Sequence, residues 1–220
     1  MSPEIAALLL NAVGETLYMV GVAGFMGTAL GLPLGVLLAV TGRGELLQNL
    51  VFNRGAGAIV NATRSTPFII LVVAIIPFTR LVAGTSIGTN AAIVPLVVAA
   101  TPFIARIVEG AVRAVDHGLI EAALAMGATP AQIIVKVLLP EARPAIALGL
   151  TLSAVSLIGY SAMVGAVGGG GLGDLGIRYG YQRFLPEVMA AVVAVLIALV
   201  QVVQSLGDFL ARRLDKRVIR

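Results

Sequence analysis

Between Asp116 and Pro140 the chain reads DHGLIEAALAMGATPAQIIVKVLLP. Asp116 is placed as an N-cap, and Leu119, Ala122, Ala123 and Met126 fall on one face of a short helix. Gly127 suits the left-handed residue that ends such a helix. Thr129 then caps a second helix, with Pro130 at its first position and Gln132 at the capping-box spacing. Ile133, Ile134, Val137 and Leu138 make the apolar face of this second helix, which Leu139-Pro140 is predicted to stop. A helix–glycine–helix projection of this kind is too short to cross a bilayer and too apolar for a free linker. It is predicted to pack its apolar side on the protein and to present the other side to a partner.

The residues on either side explain why such an element is needed. Thr16 to Val40 and Leu81 to Ala105 are each 25 residues without a charge, Pro144 to Gly173 is 30 and Val188 to Gly207 is 20. About 20 apolar residues suffice for one crossing, so four spans follow directly. The stretch Ser65 to Thr79 has only 15 residues; it becomes a fifth span if Arg80 snorkels to the interface and the helix continues to Ala83. Composition agrees: 59% of the 220 residues are hydrophobic and 12% charged, with a mean hydropathy of +1.02, whereas a soluble domain carries about 25% charge. The expectation is an all-α membrane protein of about five transmembrane helices.

Placing the N-terminus outside puts three, four and five basic residues in 41–64, 106–143 and the tail from Gly207, against Arg80, Arg178 and Arg183 on the other side. A split of 12 to 3 selects N-out, C-in. No Lys or Arg precedes the first apolar run, which argues against a cleaved secretory signal. The basic residues form no stripe with interleaved aromatics, so they suit anionic lipid headgroups and not nucleic acid. Residues 12–208 form the expected membrane domain, 106–143 its long inner loop, and 209–220 a basic tail. Gly27, Gly31 and Gly35 clear one face of the first span for close helix packing, and Pro33 is predicted to bend it. Thr66-Pro67 reads as an N-cap followed by a first-turn proline for the second span. Pro95 and Pro102 are predicted to interrupt the third span, and Pro144 to open the fourth.

The long loop carries a recognisable pattern. Glu121-Ala122-Ala123, Gly127, Val137 and Leu139-Pro140 stand at the spacing of the EAA signature, and the chain resembles the permeases of bacterial ABC importers. Segments from RSTPFIILVVAIIPFTR (64–80) to GYSAMVGAVGGGGLGDLG (159–176) are similar to the methionine-importing permeases within that family. The resemblance implies a type I importer fold in the bacterial inner membrane, built around two copies of this chain. Two cytoplasmic ATP-binding subunits would hold ATP and magnesium, and an extracytoplasmic methionine-binding lipoprotein would deliver L- or D-methionine. It also implies that Glu121 meets the ATPase, that Ala122 and Ala123 allow close approach, and that Gly127, Thr129, Pro130, Leu139 and Pro140 shape the coupling loop.

Other function classes fit less well. The chain has no GxxxxGK[ST] loop, so the energy of ATP must reach it through contacts. The long apolar spans offer no acid and no histidine for an intramembrane enzyme or a proton-coupled carrier. Gly168, Gly170 and Gly173 satisfy GxGxxG, but no strand precedes them, and they read as a turn. His117, the only histidine, has no second ligand nearby, and cysteine is absent, so neither a metal nor a cofactor of the chain's own is expected. In the fourth span Ser156, Tyr160 and Ser161 supply polar groups and Met163 a flexible thioether suited to a gate; they read either as pathway lining or as ordinary helix–helix contacts.

Overall fold

A computed structural model describes residues 3–214; Met1, Ser2 and 215–220, the end of the expected basic tail, lie outside the described residues. The order is α1 (Pro3–Val40), α2 (Leu50–Ser65), α3 (Phe68–Ala74), α4 (Ile76–Ala83), α5 (Thr89–Arg113), α6 (His117–Ala125) and α7 (Pro130–Ile133). A π turn (Ile134–Leu138) then leads into α8 (Leu139–Val164), followed by α9 (Gly171–Leu175) and α10 (Pro186–Leu214), with further π turns at Gly165–Gly169 and Gly176–Tyr181. Four helical stretches, Glu4–Val40, Thr89–Arg113, Pro130–Gly169 and Pro186–Leu214, are long and apolar enough to cross a membrane. A fifth candidate is the pair α2 and α3, bent by 105°.

Helices α1, α5 and α8 pack on one another and form the centre, with α10 against α8 and α2 to α4 along α5. Between α1 and α5 the approach is close because α1 offers glycine where side chains would collide. A methyl group at Gly27 would stand 2.7 Å from Ala100 Cβ, and one at Gly31 2.7 Å from the Thr101 carbonyl oxygen and 2.9 Å from Ile104 Cβ. Gly35 meets Val108 and the Ala105 carbonyl in the same way. The glycine face is therefore taken up within one protomer and gives no physical support for dimerisation. Met19, Leu96, Ile104, Val108 and Leu157 are almost fully enclosed around this seam.

Several proline readings are corrected. α5 runs unbroken through Pro95 and Pro102, both buried in it, because packed neighbours and local adjustments can satisfy the backbone around an intramembrane proline. α8 begins at Leu139 and passes through Pro144, which does not open it; Pro33 lies inside α1, as expected of a proline that bends a helix without ending it. Thr66 ends α2 instead of opening α3: its amide donates to Thr63 O and its hydroxyl to Ala62 O. The break comes after it because Pro67 disfavours helical geometry in the residue before it. A second break at Ile75 (φ −96°, ψ 12°) precedes Pro77 and divides the expected second span into α3 and α4.

The segment 50–65, assigned by its arginines to the inner loop, is in fact helix α2. It starts at Asn49, whose side chain accepts from the Phe52 amide, and buries Gly57 and Val60. Arg64 lies beside Ala99 and Phe103 of α5, one to two turns before Arg106.

Replacing Gly31 with alanine should destabilise the fold by about 1–3 kcal/mol, the range for overpacking a tight interior. Gly21→Ala, where nothing lies within 4 Å of the added methyl, should have no such effect. Thermal unfolding of the two variants in detergent checks the contrast; equal stabilities would mean the α1–α5 seam is looser than described.

Candidate functional site

The segment 116–140 folds as a rigid corner. The Asp116 carboxylate accepts from the Gly118 amide at 2.7 Å and caps α6. At the other end Gly127 has φ +79°, its amide donates to Leu124 O at 2.9 Å, and the Ala128 amide donates to Ala123 O at 3.0 Å. These two bonds form a Schellman closure, which needs a residue that adopts left-handed geometry without strain. Thr129 then caps α7 in a complete capping box with Gln132, and Pro130 holds the first turn.

Which face of α6 packs inward differs from the sequence reading. Ile120 and Ala123 are buried, against the ends of α1 and α5 at Val40, Val112 and Val115 and beside Ile133 and Leu138. Leu119, Ala122 and Met126, expected to pack with Ala123, are exposed. Opposite the buried pair lie Gly118, Glu121, Ala122 and Ala125, all exposed. The corner thus shows a tread of small side chains and one carboxylate, flanked by Leu119 and Met126 on one side and Leu124 on the other. The signal for this was Ile120, whose size gives it more to gain from burial than the alanines.

Leu139-Pro140 does not stop the second helix. α7, the π turn and α8 continue without a break from Pro130 to Val164. Pro140 has no amide, and its ring would collide with the Lys136 carbonyl in an α-helix. The wider π turn, in which the Leu139 amide donates to Ile134 O, relieves that collision. Helix α8 is therefore mechanically continuous with the corner.

A buried carboxylate ties the other arm. Glu109 on α5 is 4% exposed and pairs with Arg106 at 2.5 Å and Arg113 at 3.1 Å. Arg106 also donates to Gly57 O at 3.1 Å and Asn61 Oδ1 at 2.9 Å on α2. Arg113 donates to Leu38 O on α1 at 3.3 Å, and Asn53 donates to the same carbonyl at 2.7 Å. Three helices are thus fastened where α5 enters the corner. The i, i+3 and i, i+4 spacing of opposite charges was the sequence signal for this cluster, which the reading above missed.

At the opposite end of the bundle the glycine-rich stretch is a turn. Gly168 and Gly170 have φ +92° and +81°, Gly88 N donates to Gly168 O at 2.9 Å, and the Gly171 and Leu172 amides donate to Glu15 and Thr16 of α1. Of the four residues expected to line the pathway, Ser161 is 2% exposed and donates to Ile158 O. Within the protomer it makes a packing contact, the second of the two readings given for it above. Tyr160 stacks on Phe68 of α3 with centroids 4.3 Å apart, Ser156 donates to Leu152 O, and Met163 is 47% exposed.

The model of the binding-protein-dependent transport system inner membrane component family matches residues 31–220. The chain belongs to this family. It is 58% identical over 210 residues to the probable D-methionine transport system permease protein MetI of Vibrio cholerae, covering 96% of this chain and 93% of that protein. To the D-methionine transport system permease protein MetI of Escherichia coli it is 56% identical over 165 residues, 75% of this chain and 76% of that one. A chain from an inward-facing crystal form of the MetNI methionine ABC transporter superposes with a TM-score of 0.96 at 52% identity, over 98% of this chain and 100% of that one. A chain of an amino acid ABC transporter with histidines shares the fold, with a TM-score of 0.80 at 20% identity, over 96% and 95% of the two. The chain is therefore an ABC transporter permease of the bacterial inner membrane, a transport subunit and not an enzyme.

Removing the Glu109 carboxylate leaves two arginines facing a packed seam. Breaking a buried pair costs roughly 3–5 kcal/mol; with Arg113 44% exposed, water recovers part of it. Glu109→Ala should lose about 2–3 kcal/mol of stability, measurable as a lower unfolding temperature in detergent. A variant as stable as the parent would show that the cluster fastens nothing.

Proposed function

We propose that two copies of this chain form the translocation pathway of an ATP-driven importer of L- and D-methionine. Two copies of a cytoplasmic ATP-binding subunit, which hold ATP and magnesium, dock beneath them, and an extracytoplasmic methionine-binding lipoprotein delivers the cargo. The observation that carries this reading is the near full-length identity with methionine transport permeases. The 12 to 3 split of basic residues supports an N-out, C-in orientation, which puts the α6 corner on the cytoplasmic side with the ATPase. Residues 12–208 act as the membrane domain, with 106–143 as its coupling segment and 209–220 as a basic tail.

In this mechanism the exposed tread of α6 seats in the ATPase. Gly118, Ala122 and Ala125 allow close approach, and Glu121 offers a charge at its centre. Ala123 holds the inner face, and Gly127, Thr129 and Pro130 fix the angle between α6 and α7. When the ATPases close, the corner is displaced. The continuous helix from Pro130 through Leu139 and Pro140 carries that displacement into α8, while the Glu109 cluster carries it into α5, α1 and α2. Alternating access follows from the rigid-body movement of these helices. Ser156, Tyr160 and Met163 ride on α8 and line or gate the path.

Reconstitution of the chain with its ATPase and binding protein in proteoliposomes tests this reading. ATP-dependent uptake of methionine is expected, and uptake that proceeds without any ATPase would overturn it. Glu121→Lys, exposed on α6, should abolish uptake while the protein still inserts in the membrane. Undiminished uptake would remove Glu121 from the docking surface.

A further inference from the structure

We infer that the cavity at the bend of the second crossing is a binding site for the carboxylate of the zwitterionic cargo, with Arg64 as the group that recognises it. The inference rests on the importer reading above. Where α2 meets α3 at 105°, a cavity of about 150 Å³ opens, lined by Thr63, Arg64, Thr66, Phe68, Phe103 and Tyr160 among others. Phe103 stands about 21 Å from the start of α5, at 1.5 Å per residue, and one turn before Arg106 of the Glu109 cluster, so the cavity lies in the half of the bundle that leads to the corner. Ionised side chains that face a cavity between membrane helices mark substrate and ion pathways.

Arg64, exposed along the cavity, differs from the other arginines of the bundle. Arg106 and Arg113 share Glu109, and Arg178 pairs with Asp174; among the described residues no carboxylate pairs with Arg64. Its position in the last turn of α2 lets the helix dipole ease part of the cost but leaves a net charge facing the cavity. A planar guanidinium is suited to hold a carboxylate by two parallel hydrogen bonds.

The remaining walls complement the rest of an α-amino acid. The Thr63 and Thr66 hydroxyls donate to Ile59 O and Ala62 O and keep lone pairs free to accept from an ammonium group. The stacked rings of Phe68 and Tyr160 present π faces that attract a cation, and Phe103 offers an aromatic surface of the kind that thioether sulfur favours. A cavity of about 150 Å³ takes a molecule the size of benzene, which matches the carboxylate, α-carbon and ammonium head of the cargo. The chain therefore reads the cargo's head itself, in addition to any selection by the binding protein. A pathway through α8 alone, which has no charged residue beyond Arg143, would have passed the zwitterion without an ion pair.

The test is chemical protection of Arg64 in the purified permease–ATPase complex. Modification by phenylglyoxal, located by mass spectrometry, should slow at least ~threefold with saturating L-methionine and not with methioninol, which lacks the carboxylate. In proteoliposomes with the binding protein, Arg64→Ala should lower methionine uptake at least ~tenfold. Arg80→Ala, a cation at the end of α4 that donates to Ser86, should leave uptake unchanged. Equal modification with and without methionine, equal protection by methioninol, or parental uptake by Arg64→Ala overturns the site. Protection by added anionic lipid but not by methionine assigns Arg64 to a headgroup and overturns it equally. Failure of the parent complex to take up methionine at all would instead overturn the importer reading.

Discussion

Backbone meets backbone where Gly27, Gly31 and Gly35 of α1 lie on Ala100, Thr101, Ile104 and Val108 of α5. Lipid tails are as apolar as leucine, so no hydrophobic force draws two such helices together; van der Waals contact over a closely fitted surface must do so. Once α1 and α5 are locked, the positions of several other groups follow. The α5 end carrying Glu109 stands beside the last carbonyls of α1, so Arg113 reaches Leu38 O and Arg106 reaches across to α2. The ends of the same two helices then form the seat for Ile120, Ile133 and Leu138, and the corner acquires a fixed orientation.

Continuity and interruption of helix are distributed to match what each part does. From Pro130 onward the chain stays helical through Pro140 and Pro144 to the glycine-rich turn, so force at the corner reaches α8 without a joint. The crossing made by α2, α3 and α4 is instead broken twice, at Thr66-Pro67 and at Ile75, and the first break opens a cavity beside a charged side chain. Non-helical backbone at membrane depth is tolerated where it is buried in protein or lines a cavity. The hydroxyls of Thr63, Ser65 and Thr66 help by donating to carbonyls one turn back.

Much of this was legible in the sequence because its signals are local. Four spans follow from uncharged length alone, and the caps at Asp116 and Thr129 and the left-handed Gly127 follow from residue type and spacing. What sequence could not settle depended on partners distant in the chain. Gly27, Gly31 and Gly35 announced close packing, but only the fold shows that the neighbour is α5 of the same protomer. Arg54 and Arg64 made 50–65 look like a loop, because a window that excludes charge cannot see a helix whose arginine lies against the middle of α5. Prolines misled in both directions: Pro95, Pro102 and Pro140 are absorbed by packing or by a π turn, while Pro77, unremarked, divides a span. The face of α6 was misjudged because a leucine, two alanines and a methionine outweighed one isoleucine in the pattern, although the structure buries the isoleucine.

The central claim is that the docking corner and α8 move as one body. Cysteine is absent from the chain, so spin labels can be placed cleanly at Ala131 on α7 and Leu152 on α8, both exposed. Their separation, measured by pulsed dipolar spectroscopy in the nucleotide-free and ATP-bound complex, should be a single distribution unchanged by nucleotide. A distribution that shifts or splits when ATP binds would make the Ile134–Leu138 π turn a hinge and contradict the account.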